Sequence, residues 1–147
     1  MENKFQKCLE RNKIVSFSRG PKLTAKEIEL AAFDLNRSET SFQQGDYKWA
    51  TIQAYYSMFH SARALLYVKN YREKSHQCLI EAIRVFYLNE GLLDYSIVEA
   101  FQRAKTLREE ADYYGEFTEK NAGSLIEKAR EFLENAKLIL KDLILNN

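Results

Sequence analysis

The chain has 147 residues, with 22 Lys and Arg against 21 Asp and Glu and a formal charge of +1. That length suits one domain able to bury roughly 70% of the surface its unfolded chain exposes, and near-neutrality excludes a histone-like binder held to nucleic acid by bulk charge, though not a local basic groove. The longest unbroken apolar stretch, Ala64 to Val68, is five residues long, against about 20 for a membrane-spanning helix.

Met1 is followed by Glu2, Asn3 and Lys4 with no apolar run behind them, so no secretory signal is expected and the expected location is the cytoplasm. Cys8 and Cys78 stand apart, as do His60 and His76. A structural zinc site usually draws four Cys or His ligands from two close pairs. The expectation is therefore no metal and no disulfide, the cysteines being two separate buried thiols. Phosphate-cradling glycine loops and nucleophile elbows are absent, and no cofactor is expected.

Residues 1–22 carry Lys4, Lys7, Arg11, Lys13, Arg19 and Lys22 against Glu2 and Glu10, a net +4 that leaves −3 for residues 23–147. This segment reads as a basic N-terminal arm, a frayed terminus with one short helix over Phe5, Cys8 and Leu9. Its alternative use is contact with RNA or an acidic partner.

From there the chain reads as helical throughout, with Pro21 its only proline. Thr24 and Glu27 have capping-box spacing, with Leu23 and Ile28 as the hydrophobic staple. Ile28, Ala31, Leu35 and Phe42 then share a face that ends at Gly45. Asp46 caps a second helix to about Lys69, apolar around most of its circumference and hence central. Ser75 caps a shorter helix that stops near Gly91. Asp94 opens one through Ile97, Phe101, Ala104, Leu107 and Ala111, and Thr118 caps a long last helix. No stretch alternates at period two for long enough to predict a strand. The fold expected is all-α, an up-and-down antiparallel bundle of four to five helices over residues 23–147.

One stripe of the second helix is polar and aromatic: Gln53, Tyr56, Ser57, His60, Arg63 and Tyr67. It reads as a groove for a nucleotide or nucleic-acid base, with tyrosines to stack and Arg63 to hold phosphate, or as a subunit interface or a set of polar groups bonded across helices. Lys74 and His76 fall at the start of the next helix, where an anion could bind.

Residues Ala54-Tyr55-Tyr56-Ser57-Met58-Phe59-His60-Ser61-Ala62-Arg63-Ala64-Leu65-Leu66 resemble the second-helix block of the HEPN family. Lys74-Ser75-His76, Gly91-Leu92-Leu93 and Leu107-Arg108-Glu109-Glu110-Ala111-Asp112-Tyr113 follow in the family's order, and the resemblance runs from about Thr24 to Leu143. It implies a homodimeric helical bundle, often acting with a minimal nucleotidyltransferase as a toxin–antitoxin pair. Active members are metal-independent endoribonucleases whose arginine is followed, after four to six residues, by histidine. Arg108 matches that arginine, but Tyr113, Tyr114 and Gly115 stand where the histidine should be. The chain is in this respect similar to a small prokaryotic branch with an Arg-x-x-Ala-Asp-Tyr form.

Metal-independent RNA cleavage needs a base for the 2′-hydroxyl and an acid for the leaving oxygen, roles that suit histidine. Tyrosine, with a pKa about 10, is almost fully protonated at pH 7, and Asp112, at i+4 from Arg108, is expected to pair with it and stay ionised. The expected function is thus a homodimeric interaction module partnered by a nucleotidyltransferase, with weak or no nuclease activity. Arg108, Asp112 and Tyr113 would lie at the shared cleft, and Tyr113 or Tyr114 is the candidate for modification. The alternatives are a divergent endoribonuclease using the same three residues and a nucleotide-binding bundle.

Overall fold

The computed structural model describes residues 3–110 and 117–145, with side chains through residue 144. Its elements run α1 (Lys4–Glu10), β1 (Ile14–Ser16), α2 (Gly20–Gln43), α3 (Tyr47–Tyr67), β2 (Tyr71–Glu73), α4 (His76–Ile83) with a π-turn over Arg84–Leu88, α5 (Tyr95–Glu109) and α6 (Glu119–Leu145). The fold is an all-α bundle with one very small sheet.

Four of the expected helix starts form as their side chains dictate. The Asp46 carboxylate accepts from the Trp49 amide, Ser75 Oγ from Cys78, Asp94 from Ser96, and Thr118 Oγ1 from Asn121, each satisfying an amide the first turn leaves unpaired. Gly45, at φ +77°, takes the left-handed conformation that ends α2. The short α2–α3 connection makes these two helices antiparallel neighbours.

The start of α2 differs from the capping-box reading. The helix begins at Gly20, with Pro21 in its first turn, where a missing amide proton costs nothing. Thr24 is already inside it, and its hydroxyl donates to Gly20 O at 3.1 Å. Glu27 faces α3 instead of a cap. What starts the helix here is Gly20, which lets the chain pass against the end of α3: a Cβ at this position would lie 2.2 Å from Tyr67 O.

From Asn3 onward the segment before α2 is built into the fold. Asn3 caps α1, Phe5 and Cys8 are buried, and the Phe5 ring meets Phe86 edge-on at 5.2 Å. Two expectations are corrected here. Cys8 and Cys78 are not separate thiols; they form a disulfide across 70 residues, joining α1 to α4. There is also a strand pair, β1 antiparallel to β2 with Ile14 opposite Glu73 and Ser16 opposite Tyr71. Its three-residue strands are too short to show alternation.

Helix α3 runs through the centre, packed against α2, α4, α5, α6 and β2. Tyr55, Met58, Ala62, Leu65 and Leu66 on it are wholly buried, as are Phe101 of α5 and Phe132 of α6. Small residues bring α2 close: Ala31 and Ala50 are wholly buried, and two hydroxyls bond across, Ser57 to Ala31 O and Ser38 to Ala50 O. Among the described residues no helix is long and apolar enough to cross a membrane.

The crowding at Gly20 gives a test. Overpacking a fixed backbone costs about 1–3 kcal/mol, so Gly20→Ala should lower Tm by roughly 3–10 °C for a chain of this size. Gly123→Ala, whose Cβ would only touch the Phe42 ring at 3.5 Å, should leave Tm unchanged or raise it. Thermal unfolding of both variants checks the contrast.

Candidate functional site

The polar stripe of α3 splits into two clusters that share the Phe59 ring. The first joins α2, α3 and β2. Glu27 and Asp34 lie seven residues apart on one face of α2, with Ala31 between them, and both face His60. Glu27 Oε2 is 2.5 Å from His60 Nδ1, and Asp34 Oδ2 is 3.6 Å from His60 Nε2. Arg63, one turn on, directs Nε and Nη2 at Glu73 Oε2, at 3.0 and 2.9 Å, and Nη1 at Glu27 Oε1, at 3.8 Å. Its guanidinium lies 4.6 Å from the Phe59 ring centre.

Three carboxylates thus surround one guanidinium and one imidazole. Burial pushes Glu73 above its ordinary value, opposed by Arg63, and burial likewise raises Asp34, opposed by His60 and Arg37. Glu73 is only 4% exposed and its Oε1 has no hydrogen-bond partner among the described residues. With its donors directed at carboxylates, Arg63 is poorly placed to grip a phosphate. Tyr67 is buried, its ring 5.1 Å from Phe17, and so offers no open stacking face.

The second cluster joins α3, α4 and α5. Tyr55, wholly buried, places its hydroxyl 2.5 Å from His76 Nδ1, with the two rings stacked. Phe59 covers His76 at 4.4 Å. Arg108, in the last turn of α5, sets its guanidinium 5.5 Å from the Tyr55 ring and 5.2 Å from the Tyr56 ring, a cation–π arrangement that leaves the fork's edge for other partners. Among the described residues no carboxylate lies within ion-pair distance of Arg108. Tyr56 and His76 are partly exposed, and the Lys74 side chain is exposed while its amide donates to Lys13 O.

The protonation of this cluster follows from its surroundings. Burial pushes the Tyr55 phenol far above its ordinary value, against the pull of Arg108. Burial also lowers His76, reinforced by Arg108, Arg63 and Lys105 and opposed by Glu109. Near pH 7 a protonated phenol therefore meets a neutral imidazole. With the phenol as donor, Nδ1 accepts and the ring's own proton sits on Nε2. Because the folded state takes up a proton at His76 less readily than the unfolded chain, stability from this group is gained as pH rises through the window just below 6.5 and lost on acidification.

Of the residues singled out from sequence, Tyr56, His76 and Arg108 come together around Tyr55. His60 and Arg63 form the neighbouring network, and Lys74 stands apart. Asp112, Tyr113 and Tyr114 lie outside the described residues. Sequence reading missed Glu27, Asp34 and Glu73 as partners of His60 and Arg63, and Tyr55 as the partner of His76. The seven-residue spacing of Glu27 and Asp34 was the available signal.

The HEPN domain model matches residues 25–140. The chain belongs to the HEPN family. A Methanocaldococcus jannaschii protein named "Putative toxin MJ0605" is 34% identical over 80% of this chain and 88% of its own length. A second from that organism, "Putative toxin MJ0142", is 31% identical over 81% of this chain and 84% of its own. A "UPF0332 protein" of Archaeoglobus fulgidus is 33% identical over 68% and 81%. The matched span of this HEPN protein takes in both clusters but omits α1 and β1.

The first cluster has a direct test. Arg63→Leu leaves Glu73 buried without its cation, which should cost about 3 kcal/mol in denaturant unfolding, and adding Glu73→Gln should recover much of that loss. A loss of about 0.2–1 kcal/mol, the range of an exposed pair, would contradict the network.

Proposed function

We propose that this HEPN protein acts in a toxin–antitoxin-type pair as a binding partner rather than as a nuclease. In this reading it forms a homodimer in which the two Arg108 clusters face a shared cleft. A minimal nucleotidyltransferase is its protein partner, and RNA or a nucleotide phosphate is what the cleft receives. The toxin names of its relatives support the class of system.

One observation carries the rest: the chain has two histidines, and neither holds out a free basic nitrogen beside Arg108. His60 has a carboxylate at each ring nitrogen, and His76 has its Nδ1 closed by Tyr55. The Arg108 guanidinium and His76 Nε2–H are both donors, a pair suited to binding phosphate oxygens. Removing the 2′-hydroxyl proton needs an acceptor, which this pair lacks.

The nucleotidyltransferase is proposed to modify Tyr113 or Tyr114. The phenolic oxygen attacks the α-phosphorus of a nucleoside triphosphate, pyrophosphate leaves, and the phenolic proton passes to solvent. Tyrosine so modified carries negative charge five or six residues after Arg108 in sequence, a change able to alter what the cleft binds.

Three readouts on the full chain test this proposal. Light scattering should give twice the 17.3 kDa chain mass, and a single-chain mass would contradict the shared cleft. A broad panel of single-stranded RNA in EDTA should remain intact with verified dimer; cleavage abolished by Arg108→Ala would establish the nuclease alternative instead. Incubation with a cognate nucleotidyltransferase and ATP should add one nucleotidyl group by intact mass, lost in the Tyr113→Phe/Tyr114→Phe variant, and an unchanged mass would refute the modification.

A further inference from the structure

Helix α1 is fastened to the bundle from outside. It lies before the span 25–140 shared with the HEPN family, and the Cys8–Cys78 disulfide ties its last turn to the first turn of α4. Its seven residues fall short of the roughly 12–15 that a helix standing alone in water needs, so α1 keeps its form by lying on α4. Besides the bond, Phe5 packs edge-on against Phe86 and Cys8 is buried. From Lys13 onward the chain is secured separately: Lys13 O accepts from the Lys74 amide, and β1 pairs with β2. Loss of the disulfide therefore acts on residues 3–11 and not on the strand behind them.

The bond is also within reach of a reductant. Cys8 and Cys78 line a concavity of about 420 Å³ between α1 and α4, and Cys78 is half-buried rather than enclosed. Lys4 and Arg11, four residues before Cys8 and three after it, share its side of α1 and line the same concavity together with Lys13. Positive charge around a disulfide draws in an attacking thiolate and favours the one that leaves. Disulfides that solvent reaches are the labile and regulatory kind. On the α4 side the bond holds the turn that carries His76. Ser75 Oγ accepts from the Cys78 amide, and His76 between them has its Nδ1 2.5 Å from the Tyr55 hydroxyl.

We propose that the Cys8–Cys78 disulfide is a redox switch, with α1 as a strap that a dithiol reductant releases from α4. One thiolate of the reductant attacks a sulfur and forms a mixed disulfide, and the other cysteine leaves as thiolate. The reductant's second thiolate then displaces the remaining cysteine. The reductant is thereby oxidised by two electrons to its own disulfide, and the two protons it gives up end on Cys8 and Cys78. With the bond open, α1 lifts from α4, and the first turn of α4, with His76 in it, loses its outer support. The reverse exchange with a small disulfide restores both. The switch does not depend on what the Arg108 cluster binds.

Hydrogen exchange read by mass spectrometry on the full chain, oxidised and after dithiothreitol, tests this, with the intact mass of an alkylated aliquot confirming reduction. Millimolar dithiothreitol should open the bond in native buffer without denaturant. Amides of residues 3–11 and 76–83 should then exchange at least about tenfold faster. Those of 50–67 and 119–143 should be unchanged, and oxidised glutathione should return the first pattern. Cys8→Ser should show the reduced pattern with no reductant present, and the reduced parent decides the matter should that variant fail to fold. A bond that opens only in denaturant, or reduced protein that exchanges like the oxidised form in either segment, would overturn the proposal. So would a rise of equal size along the whole chain, which would make the bond a global staple instead of a switch.

Discussion

The burial of most of α3 among its neighbours is the constraint on which the rest of the molecule depends. A helix in that position has little solvent with which to satisfy its polar side chains, and a buried polar group left unpaired costs about 1–3 kcal/mol. Ser57 therefore bonds Ala31 O, His60 is taken up by Glu27 and Asp34, Arg63 by Glu73 and Glu27, and Tyr55 by His76. Ser61 is the exception, its hydroxyl without a hydrogen-bond partner among the described residues. The same kind of contact that holds α2, α4 and β2 against α3 engages Nδ1 of His76. Architecture and site chemistry here have one cause.

Much of the fold was legible because its causes are local. Caps at Asp46, Ser75, Asp94 and Thr118 act on amides two or three residues away, and the near-continuous apolar surface of α3 marks it as central. The misreadings have non-local causes. Thr24 and Glu27 have the spacing of a capping box, but Glu27 is needed by His60, 33 residues on, and helix α2 instead begins at the glycine that clears Tyr67. The Cys8–Cys78 bond spans 70 residues and leaves no local trace. Strands of three residues carry too little alternation to be seen.

The candidate site was legible in part for the same reason. Arg108 and the aromatic block of α3 stand out through family resemblance, and His76 through its place beside a cap. That His76 and Arg108 meet over the Tyr55 ring depends on how α4 and α5 pack against α3, which spacing along the chain does not encode. The carboxylates that engage Arg63 were hidden similarly. The structure gathers Arg108, Tyr55 and His76 into one cluster and His60 and Arg63 into another, and it joins α1 to α4 through the disulfide.

The central claim is that His76 is a neutral ring whose Nδ1 accepts from Tyr55 and whose Nε2 carries the proton. Long-range nitrogen–proton correlation spectra of the ¹⁵N-labelled full chain read this directly across a pH series. The account predicts the Nε2–H tautomer for His76 near pH 7, with protonation only below the ordinary value of 6.5 and a return to the free-imidazole pattern in Tyr55→Phe. An Nδ1–H tautomer, or titration at or above 6.5 in the parent protein, would restore a free basic nitrogen beside Arg108 and contradict it.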